Sequence, residues 1–312
     1  MRYYPNPEEG IGIPFLIEAV RKAFIDHGYG SCQMPPKSYV SLPGGDFRTM
    51  PSYLPGLNIA GVKVVNVHPE NQKQGLPTVM AMTLLLEPST GTPIALLNAT
   101  ALTSLRTGAS AAVATKALAS GPGGTVGIIG AGRQAISGLQ AIIEVYDIES
   151  VRVWSRREST AEKFVEKFPN LEIRVSDLEH TSGADVLLTT TPSRTPLIQN
   201  DWISDGTHIN AIGADAAGKQ ELDSMLLGRS QVFVDDLEQA VHSGEVNVPI
   251  RDGVFSPSDI DGTLGEVLIG KKNRSSQETI TIFDSTGIAI TDLAIASLAV
   301  KTGKYIELPF SP

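Results

Sequence analysis

The chain has 312 residues, of which 41% are hydrophobic and 19% are charged, and its formal net charge at pH 7 is −9. These proportions are typical of a soluble globular protein, and the length predicts about two domains with enough material for a sizeable core. The negative charge argues against nucleic acids and anionic membranes as partners, because both attract positively charged surfaces.

Cysteine content and apolar runs indicate the compartment. The single cysteine, Cys32, excludes an internal disulfide and fits the reducing cytoplasm. The segment MRYYPNPEEG lacks the apolar stretch of a signal peptide, and Asp292 interrupts the apolar run that follows Gly287. We therefore expect a cytoplasmic protein with no membrane partner. The histidines and Cys32 lack ligand spacing, so no metal is expected.

The first third of the chain predicts a mainly β domain. Residues 13–27 have helical spacing and predict a surface helix. Strand-like segments then alternate with turns, which favours antiparallel or mixed pairing, and an alanine-rich helix is expected over about 102–119. The strand-like segments are 46–51, 61–66, 79–86 and 93–97.

The stretch TVGIIGAGRQ, residues 125–134, predicts a nucleotide-binding turn. A β-prone apolar segment leads into Gly130, Gly132 and Ala135, a G-x-G-x-x-A pattern that opens a helical stretch over 134–145. Glycines at this spacing let the backbone approach a pyrophosphate bound at the helix N-terminus, although tight turns also need glycine for geometry alone. A second predicted strand, 151–154, follows, and this context favours dinucleotide binding.

Strand and helix patterns alternate after the linker at residues 121–124, which predicts an α/β fold with a doubly wound parallel sheet. A final helix is expected over about 288–301. Because ligands lie outside the carboxyl ends of parallel strands, residues just beyond those ends are candidates for function. Further strands are predicted over 185–191, 208–213, 231–235 and 279–285.

Arg106 is the only charged residue between Glu87 and Lys116 and lies in a helix of alanine, leucine and threonine. A buried guanidinium is costly without an anionic partner. One interpretation is a structural ion pair or an arginine that reaches water. The other is a bidentate clamp on a carboxylate or phosphate, for which the planar group is suited.

Three more cations lie in the first domain. Lys63 interrupts an apolar strand, and the segment alone favours a lysine on the solvent face. The functional alternative is a desolvated lysine that polarises a carbonyl or imine, or binds a carboxylate. Lys37 and Arg48, each taken alone, are most simply explained as solvated charges.

Asp215 follows a predicted strand end and is flanked by small residues that permit close approach of a ligand. A carboxylate there can act as a general acid or base, particularly beside cations that tune its pKa. The alternative is an N-cap for a helix after Ala216.

The end of the second strand of the nucleotide-binding domain indicates the cofactor. NAD-preferring sites usually place an acidic residue there to bind the ribose hydroxyls. This chain has Ser155, Arg156 and Arg157 instead, which suit a 2′-phosphate, so NADP(H) is favoured over NAD(H). The competing interpretation is that the arginines stack on adenine or point to solvent.

Segments spread in order over nearly the whole chain resemble the ornithine cyclodeaminase/μ-crystallin family. Two further segments, 189–194 and 206–210, are most similar to the archaeal alanine dehydrogenase branch of that family. The family-like segments are 34–37, 48–51, 63–71, 75–81, 105–109, 130–134, 211–215, 218–222 and 283–287.

This resemblance implies a Rossmann-type NAD(P)-binding domain over residues 120–287. It further implies an α+β substrate-binding and dimerisation domain that is built from both chain ends, residues 1–119 and 288–312. A homodimer is therefore expected.

The resemblance also assigns roles to individual residues. Lys37, Lys63 and Asp215 match positions of the family's catalytic pocket, and Arg48 and Arg106 would bind the substrate carboxylate together with Lys63. The implied cofactor contacts are Arg106, Thr107, Gly130, Ala131, Gly132, Arg133, Gln134, Ser155, Arg156, Arg157, Thr190, Gly213, Lys219 and Ser285.

The implied activity is NAD(P)-dependent oxidoreduction at the C–N bond of a small α-amino or α-imino acid, with alanine and pyruvate plus ammonia as the first candidates. A reductase of cyclic imines such as Δ1-pyrroline-2-carboxylate is the alternative, and residues 154–157 are similar to NADPH-dependent ketimine reductases. Ornithine is disfavoured because Arg48 stands before Met50-Pro51 where cyclodeaminases carry a glutamate. A non-catalytic μ-crystallin-like binding protein is also disfavoured, because ligand storage needs no acid/base group.

Overall fold

The computed structural model describes residues 1–310 and divides the chain into two compact units. The first comprises residues 1–106 and the chain from Ile288 onward, and the second comprises residues 107–287. The prediction put the first boundary after Ala119, whereas this division falls after Arg106, inside the alanine-rich helix. The reason is that the later part of that helix, through Ala111, belongs to the core of the second unit.

The first unit contains a surface helix, a run of strands and the closing helix. Its elements are β1 (Arg2–Tyr4), α1 (Ile13–Gly28), β2 (Ser38–Leu42), β3 (Gly45–Leu54), β4 (Ile59–Val67), β5 (Val79–Leu86), β6 (Pro93–Asn98), the start of α2 (Thr100–Leu118), α10 (Ala289–Thr302) and β15 (Ile306–Glu307).

These strands form one mixed sheet in the order β15-β1-β6-β5-β4-β3-β2. The pairs are antiparallel except β1 with β6, which is parallel. Helix α10 packs against β3, β4 and β5, and α1 packs against α10. Residues therefore alternate along β3, β4 and β5 between a buried face and a more exposed one, as the mainly β prediction requires.

The second unit alternates strands and helices. Its elements after α2 are β7 (Gly123–Ile129), α3 (Arg133–Ile142), β8 (Asp147–Trp154), α4 (Glu158–Val165), β9 (Ile173–Val175), α5 (Leu178–Ser182), β10 (Val186–Thr189), β11 (His208–Ala211), α6 (Ser224–Gly228), β12 (Ser230–Val234), α7 (Leu237–Ser243), α8 (Asn247–Arg251), β13 (Gly262–Thr263), α9 (Leu264–Leu268) and β14 (Ile280–Asp284).

The strands of the second unit form one sheet in the order β13-β12-β14-β11-β10-β7-β8-β9, and its pairs are parallel. The predicted α/β class with a doubly wound parallel sheet is confirmed. Chain order reverses between β7 and β10, and ligands bind outside the carboxyl ends of the strands at such a switch point. The glycine-rich turn follows β7 and therefore lies at this point.

Apolar residues cover the parallel sheet on both faces. One core contains Val126, Ile128 and Leu139, and the other contains Ile129, Leu187 and Ile209. Alternate residues of β7 thus point to opposite cores, which explains why that strand is a continuous apolar run. Within residues 1–310, we find no helix with the length and apolar character needed to cross a membrane.

Candidate functional site

The turn after β7 requires glycine at Gly130. Its φ is +96°, a conformation that L side chains rarely adopt, and its N–H donates to the Trp154 carbonyl at 2.8 Å. A Cβ at this position would lie 2.8 Å from Oγ1 of Thr190 and 3.1 Å from Cγ2 of Thr191. The end of β10 therefore packs directly against the turn.

Gly132 has free space around its Cα, unlike Gly130, which is packed against neighbouring atoms. A Cβ on Gly132 would meet no atom within 4 Å, so the space beside it is free for a ligand. Helix α3 follows with no side-chain cap at Gly132 and no acidic residue in its first turn. Unused donors at a helix N-terminus suit the pyrophosphate of a dinucleotide, so these residues fit that group.

The three residues that follow β8, residues 155–157, include two cations and no carboxylate. Ser155 is half-buried, while Arg156 and Arg157 are exposed at the start of α4. The acidic residue that binds ribose hydroxyls in NAD sites is therefore missing at residues 155–157. The preference for NADP(H) remains a prediction.

Asp215 does not cap a helix. No helix follows it until α6, and its carboxylate instead forms an ion pair with the Lys219 ammonium. Both side chains are partly exposed, and Lys219 also reaches the Gly213 carbonyl at 3.5 Å. The N-cap interpretation is therefore wrong, and Asp215 is an accessible carboxylate beside a cation.

Glu221 ties the ends of two strands to the segment that carries Asp215. Its carboxylate accepts hydrogen bonds from Thr189 Oγ1 at 2.7 Å, from the Thr191 N–H at 2.6 Å and from the Gly213 N–H at 2.9 Å. A side chain at Gly213 would collide with this carboxylate and with the Thr191 carbonyl. Close packing therefore explains the glycine at 213, whatever its part in cofactor binding.

A second buried carboxylate, Glu245, supports the first. It accepts the N–H of Glu221 at 2.9 Å and the N–H of Leu222 at 2.7 Å. Burial raises the pKa of Glu221, and burial together with the neighbouring Glu221 and Asp284 charges raises the pKa of Glu245 well above its ordinary value. Neutral backbone donors hold these acids in place.

Ser285 lies directly after β14 and is held by Asp235. The Asp235 carboxylate accepts from Ser285 Oγ at 3.2 Å, from Thr286 Oγ1 at 3.1 Å and from the Gly287 N–H at 2.7 Å. Because all four residues are on adjacent strand ends of the parallel sheet, Asp235 orders the Ser285–Gly287 turn.

The first unit buries a cluster of charges. Lys63 Nζ lies 2.6 Å from Oδ2 of Asp292, and Arg106 Nε donates to Oδ1 of the same carboxylate at 3.1 Å. Lys63 is 1% exposed and Asp292 is 4% exposed. The expected anionic partner of Arg106 is therefore Asp292, in the first turn of α10.

The solvent-face interpretation of Lys63 is wrong. In β4, residues at odd positions from 59 to 65 are buried, and Lys63 pairs with Met50 and Thr83 on the neighbouring strands. Burial lowers the pKa of Lys63 to about 7, and the Asp292 charge opposes this while the Arg106 and Lys37 charges add to it. A lysine whose pKa is about 7 can gain or lose a proton at physiological pH.

Arg48 and Lys37 are also buried, which corrects the interpretation of each as a solvated charge. Arg48 Nε donates to Asp46 at 2.8 Å, and its guanidinium lies 5.1 Å from the centre of the Tyr39 ring. The Lys37 ammonium is 5.9 Å from that ring. Register places Arg48 opposite Val65, two residues from Lys63 on the same buried face.

The predicted site residues thus separate into two groups. Lys37, Arg48, Lys63 and Arg106 are all buried in the first unit, while the remaining predicted residues belong to the second. Among those, Thr107 is buried and Arg133 is exposed. The described residues contain no group of three or more His, Cys, Asp or Glu that could hold a metal ion.

Sequence reasoning missed Asp292, Glu221 and Asp235. A signal for Asp292 was present, because it is the only charged residue between Asp284 and Lys301, the same pattern that singled out Arg106. Glu221 and Asp235 offered no comparable signal. Their donors are backbone N–H groups and hydroxyls that are 30 to 52 residues away along the chain or lie in adjacent turns.

Comparison with known proteins decides the family. The profile of the ornithine cyclodeaminase/mu-crystallin family matches residues 8–302, nearly the whole described chain. The chain belongs to the ornithine cyclodeaminase/mu-crystallin family. The resemblance inferred from short motifs is therefore confirmed.

Relatives within the ornithine cyclodeaminase/mu-crystallin family include an alanine dehydrogenase from Archaeoglobus fulgidus. It is 48% identical over 297 residues, covering 94% of this chain and 92% of the relative. An archaeal alanine dehydrogenase dimer with bound NAD superposes with a TM-score of 0.93 at 44% identity, covering 98% of this chain and 99% of that one.

A Δ1-pyrroline-2-carboxylate reductase from Thermococcus litoralis, in complex with NADH and L-proline, is nearly as similar. Its TM-score is 0.92 at 38% identity, and the match covers 96% of this chain and 97% of that one. These relatives confirm the prediction of an enzyme, an NAD-dependent oxidoreductase of the ornithine cyclodeaminase/mu-crystallin family. Dehydrogenase and imine reductase activities both occur among them.

Proposed function

We propose that this chain interconverts alanine with pyruvate and ammonia by oxidoreduction at the C–N bond. The observation that carries the proposal is the buried cation cluster of the first unit, Lys63 and Arg106 around Asp292. Two cations share one carboxylate there, so the three side chains keep one positive charge when Lys63 is protonated. A small amino or imino acid brings the carboxylate that would complement this charge.

Arg106 and Arg48 suit the carboxylate of such a substrate. A guanidinium can donate two parallel hydrogen bonds to a carboxylate, and burial strengthens each of them. Arg106 donates from Nε to Asp292, and Arg48 donates to Asp46 from Nε at 2.8 Å and from a terminal nitrogen at 3.5 Å. In our proposal these acids fix the orientation of the two guanidinium groups, which bind the substrate carboxylate.

The nicotinamide cofactor, when bound, accepts hydride from Cα of the amino acid or returns it to the imine carbon. Lys63 binds and polarises the substrate at its carboxylate end, and its pKa of about 7 lets it hold or release a proton there. Asp215 is the group we assign to the substrate nitrogen: it removes a proton as the amine becomes an imine and returns one in the reverse direction. Lys37 is the further candidate acid/base group for addition of water.

Residues 130–134 of the second unit are the proposed pyrophosphate site. Support comes from the open space beside Gly132 and the uncapped start of α3, whose backbone N–H groups can donate to a phosphate. Ala131, Arg133, Thr107, Thr190, Gly213, Lys219 and Ser285 are the other proposed cofactor contacts of this unit, and Arg106 is proposed from the first.

NADP(H) is the cofactor that we favour over NAD(H). The support is chemical: Ser155, Arg156 and Arg157 follow β8, where NAD sites usually place a carboxylate, and the two arginines suit a 2′-phosphate. The solved relatives named above hold NAD or NADH, so cofactor choice is the point at which this chain is expected to differ from them.

Reduction of cyclic imines is the second candidate function. The Thermococcus litoralis reductase, with L-proline bound, is almost as similar to this chain as the alanine dehydrogenase is. A cyclic imine carries the same carboxylate and the same C=N bond, so the cation cluster would serve it equally well. The two substrates differ only in the ring that the pocket must admit.

A substrate panel tests the proposed function. NADH and NADPH oxidation would be followed with pyruvate plus ammonia, Δ1-pyrroline-2-carboxylate, glyoxylate plus ammonia, and iminosuccinate generated in place. We expect the highest kcat/KM with pyruvate plus ammonia. A higher value with Δ1-pyrroline-2-carboxylate would replace alanine dehydrogenase by cyclic imine reductase, and turnover with none of them would leave a binding protein.

Ser155→Asp tests the cofactor preference. A carboxylate at the end of β8 would bind ribose hydroxyls and repel a 2′-phosphate, so the ratio of kcat/KM for NADPH to that for NADH should fall about 10-fold or more. Ser150→Asp, an early β8 substitution remote from the turn, is the matched control. A wild-type enzyme that already prefers NADH would refute this part of the proposal.

We also propose that the chain forms a homodimer through the more exposed face of the mixed sheet. Val64 and Met82 are opposite each other in β4 and β5 and are both exposed, and the half-buried Val62 and Leu84 are the next pair. A contiguous apolar surface of this kind is typical of an interface. The archaeal alanine dehydrogenase relative is itself a dimer.

Met82→Asp tests this interface by light scattering coupled to gel filtration. The wild-type chain should elute with about twice the mass of one chain, and the variant should shift towards the monomer because a desolvated carboxylate disfavours association. Leu57→Asp, an exposed position outside the paired strands, is the control. A monomeric wild type would contradict the proposed dimer.

A further inference from the structure

Asp292 contacts two of the three cations assigned to the substrate carboxylate, Lys63 and Arg106. One oxygen faces Lys63 Nζ at 2.6 Å and the other accepts from Arg106 Nε at 3.1 Å, so both oxygens are engaged. Lys63 comes from β4, Arg106 from α2 and Asp292 from α10. One carboxylate therefore joins three elements that are far apart in the chain.

The Asp292 carboxylate lies at the start of a helix and is buried. Asp292 lies in the first turn of α10, where the helix macrodipole stabilises a negative charge. The carboxylate is buried with a side-chain exposure of 3%, so its two partners are the main compensation for lost hydration. Such a triad has a defined geometry, because moving any member leaves a buried charge without its partner.

The triad keeps one positive charge rather than none. Two cations and one anion leave a net charge of +1 when Lys63 is protonated, and Lys37 lies close enough to affect Lys63 as well. A purely structural ion pair is best balanced at zero. The remaining charge fits a ligand that supplies a single carboxylate, the substrate class of the proposed function.

We propose that Asp292 is a positioning residue: it holds Lys63 and Arg106 in a fixed arrangement for one substrate carboxylate and does not itself touch the substrate. This inference rests on the proposed function. It also assigns Asp292 a second effect, which is to keep Lys63 protonated enough to bind an anion.

The effect of Asp292 on the pKa of Lys63 has a definite direction. The charged groups that affect Lys63 are Asp292, Arg106 and Lys37, and only Asp292 is negative. Removing its charge leaves burial and the two cations, all of which favour neutral lysine. In Asp292→Asn the Lys63 titration should therefore move to lower pH, and less Lys63 would be charged at pH 7.

Steady-state kinetics provide the first test. Asp292→Asn should lower kcat/KM for the best substrate of the panel about 100-fold, the usual cost of a displaced catalytic group. The pH dependence of kcat/KM should shift with it towards lower pH. Asp292→Glu restores the charge but not the position of the carboxylate, so it should recover part of this loss and not all of it.

Titration of Lys63 provides a readout that needs no turnover. Protein labelled with [ε-13C]lysine would be titrated by NMR, with the Lys63 resonance assigned by its loss in Lys63→Arg. Wild-type Lys63 should titrate near pH 7, and in Asp292→Asn its midpoint should move roughly one to three pH units to the acid side. An unmoved midpoint in folded Asp292→Asn would overturn the inference.

Thr291→Val is the matched control, since Thr291 is buried in the same turn of α10 and its hydroxyl bonds the Ile288 carbonyl. It should alter stability without changing kcat/KM or the Lys63 midpoint. If Asp292→Asn fails to fold, Asp292→Glu carries the test: a wild-type midpoint with lowered kcat/KM supports positioning, while unchanged kcat/KM opposes it. If the wild type turns over no panel substrate, the proposed function fails, whereas the NMR result still judges the triad.

Discussion

The two units bury charge in opposite ways. In the first unit, Lys63 and Arg106 are buried against an opposite charge, Asp292, and cations outnumber anions. In the second unit, Glu221 and Glu245 are buried against neutral donors, mainly backbone N–H groups, with no cation bonded to either carboxylate among the described residues. The first arrangement keeps a net positive charge that can bind an anionic ligand. In the second arrangement, the carboxylates hold neighbouring segments in place by accepting their hydrogen bonds.

The pKa directions follow from the same contrast. Burial lowers the pKa of Lys63 to about 7 and raises the pKa of Glu221 and Glu245. Titration near neutrality at Lys63 is useful for binding and proton transfer. Protonation of the two glutamates, whose pKa values burial raises, affects how firmly the segment with Asp215 is held. Ligand binding in the first unit and stability in the second are therefore both expected to depend on pH.

Asp215→Asn should have the largest effect, because Asp215 is the accessible carboxylate that we assign to the substrate nitrogen, whereas Glu221 and Glu245 are buried. Loss of a general acid/base group should lower kcat by about 10² to 10⁴-fold while the dissociation constant of NADPH changes little. Asp205→Asn, a carboxylate with 76% side-chain exposure, is the control for charge loss. Near-normal turnover in the Asp215 variant would remove it from the mechanism.

Lys63→Met should lower kcat/KM by about 10² to 10³-fold, since it removes a cation aimed at the substrate and keeps the buried volume. Cofactor binding measured by fluorescence should stay near the wild-type value. Lys304→Met, at an exposed position of the first unit, should behave as wild type. Activity within a few-fold of wild type would mean that the triad of the first unit is structural only.

Glu221→Gln should destabilise the protein by about 1–3 kcal/mol. Both carboxylate oxygens accept a backbone N–H, from Thr191 and Gly213, so an amide must present its NH2 to one of these donors and leave it unpaired. Urea unfolding would measure the change, with the exposed Glu278→Gln as control. Equal stability of the two variants would show that the donors do not need a carboxylate.

Glu245→Gln should have the smallest effect, visible mainly as a changed pH dependence. The raised pKa of Glu245 means that its favourable contribution is complete below the ordinary carboxyl pKa of 4.5 and is lost as pH rises through the folded-state value. The amide removes this dependence, so the variant should lose less stability than wild type between pH 5 and pH 8.

Thermal unfolding at several pH values would measure that difference, with the exposed Glu238→Gln on α7 as control. Burial lowers the pKa of His208 to about 3. Its contribution to the pH dependence of stability is the same in wild type and in Glu245→Gln, so it cancels when the two are compared. Parallel curves of Tm against pH for wild type and Glu245→Gln would contradict the prediction.

Much of the fold was predictable because its signals are local. Period-two and continuous apolar runs predicted most strands of both sheets, and the glycine pattern after β7 predicted the turn at the switch point. The strands that were not predicted are β1, β2, β9, β13 and β15. Boundaries were less accurate: the helix expected over 134–145 is α3, Arg133–Ile142, since the chain turns at 143–146 to begin β8 at Asp147.

The site was predictable in part. Arg106 stood out because a lone charge in an apolar helix needs a partner, and Asp292 has the same pattern in α10. The sequence offers no rule that joins the two, because they are 186 residues apart. The prediction that Lys63 lies on the solvent face failed for a related reason. The alternation of residues along β4 shows that the strand has two faces, but it does not show which of them α10 covers.

By itself, then, the sequence determined the α/β class, the glycine turn, the family motifs and the set of charged residues available for chemistry, all of which depend on neighbours within a few positions. Tertiary structure alone decided that Asp292 joins Lys63 to Arg106 and that Glu221 fastens two strand ends. The physical reason is that burial and pairing depend on distances between elements remote in the chain, and these distances set the pKa values and the charge left for a ligand.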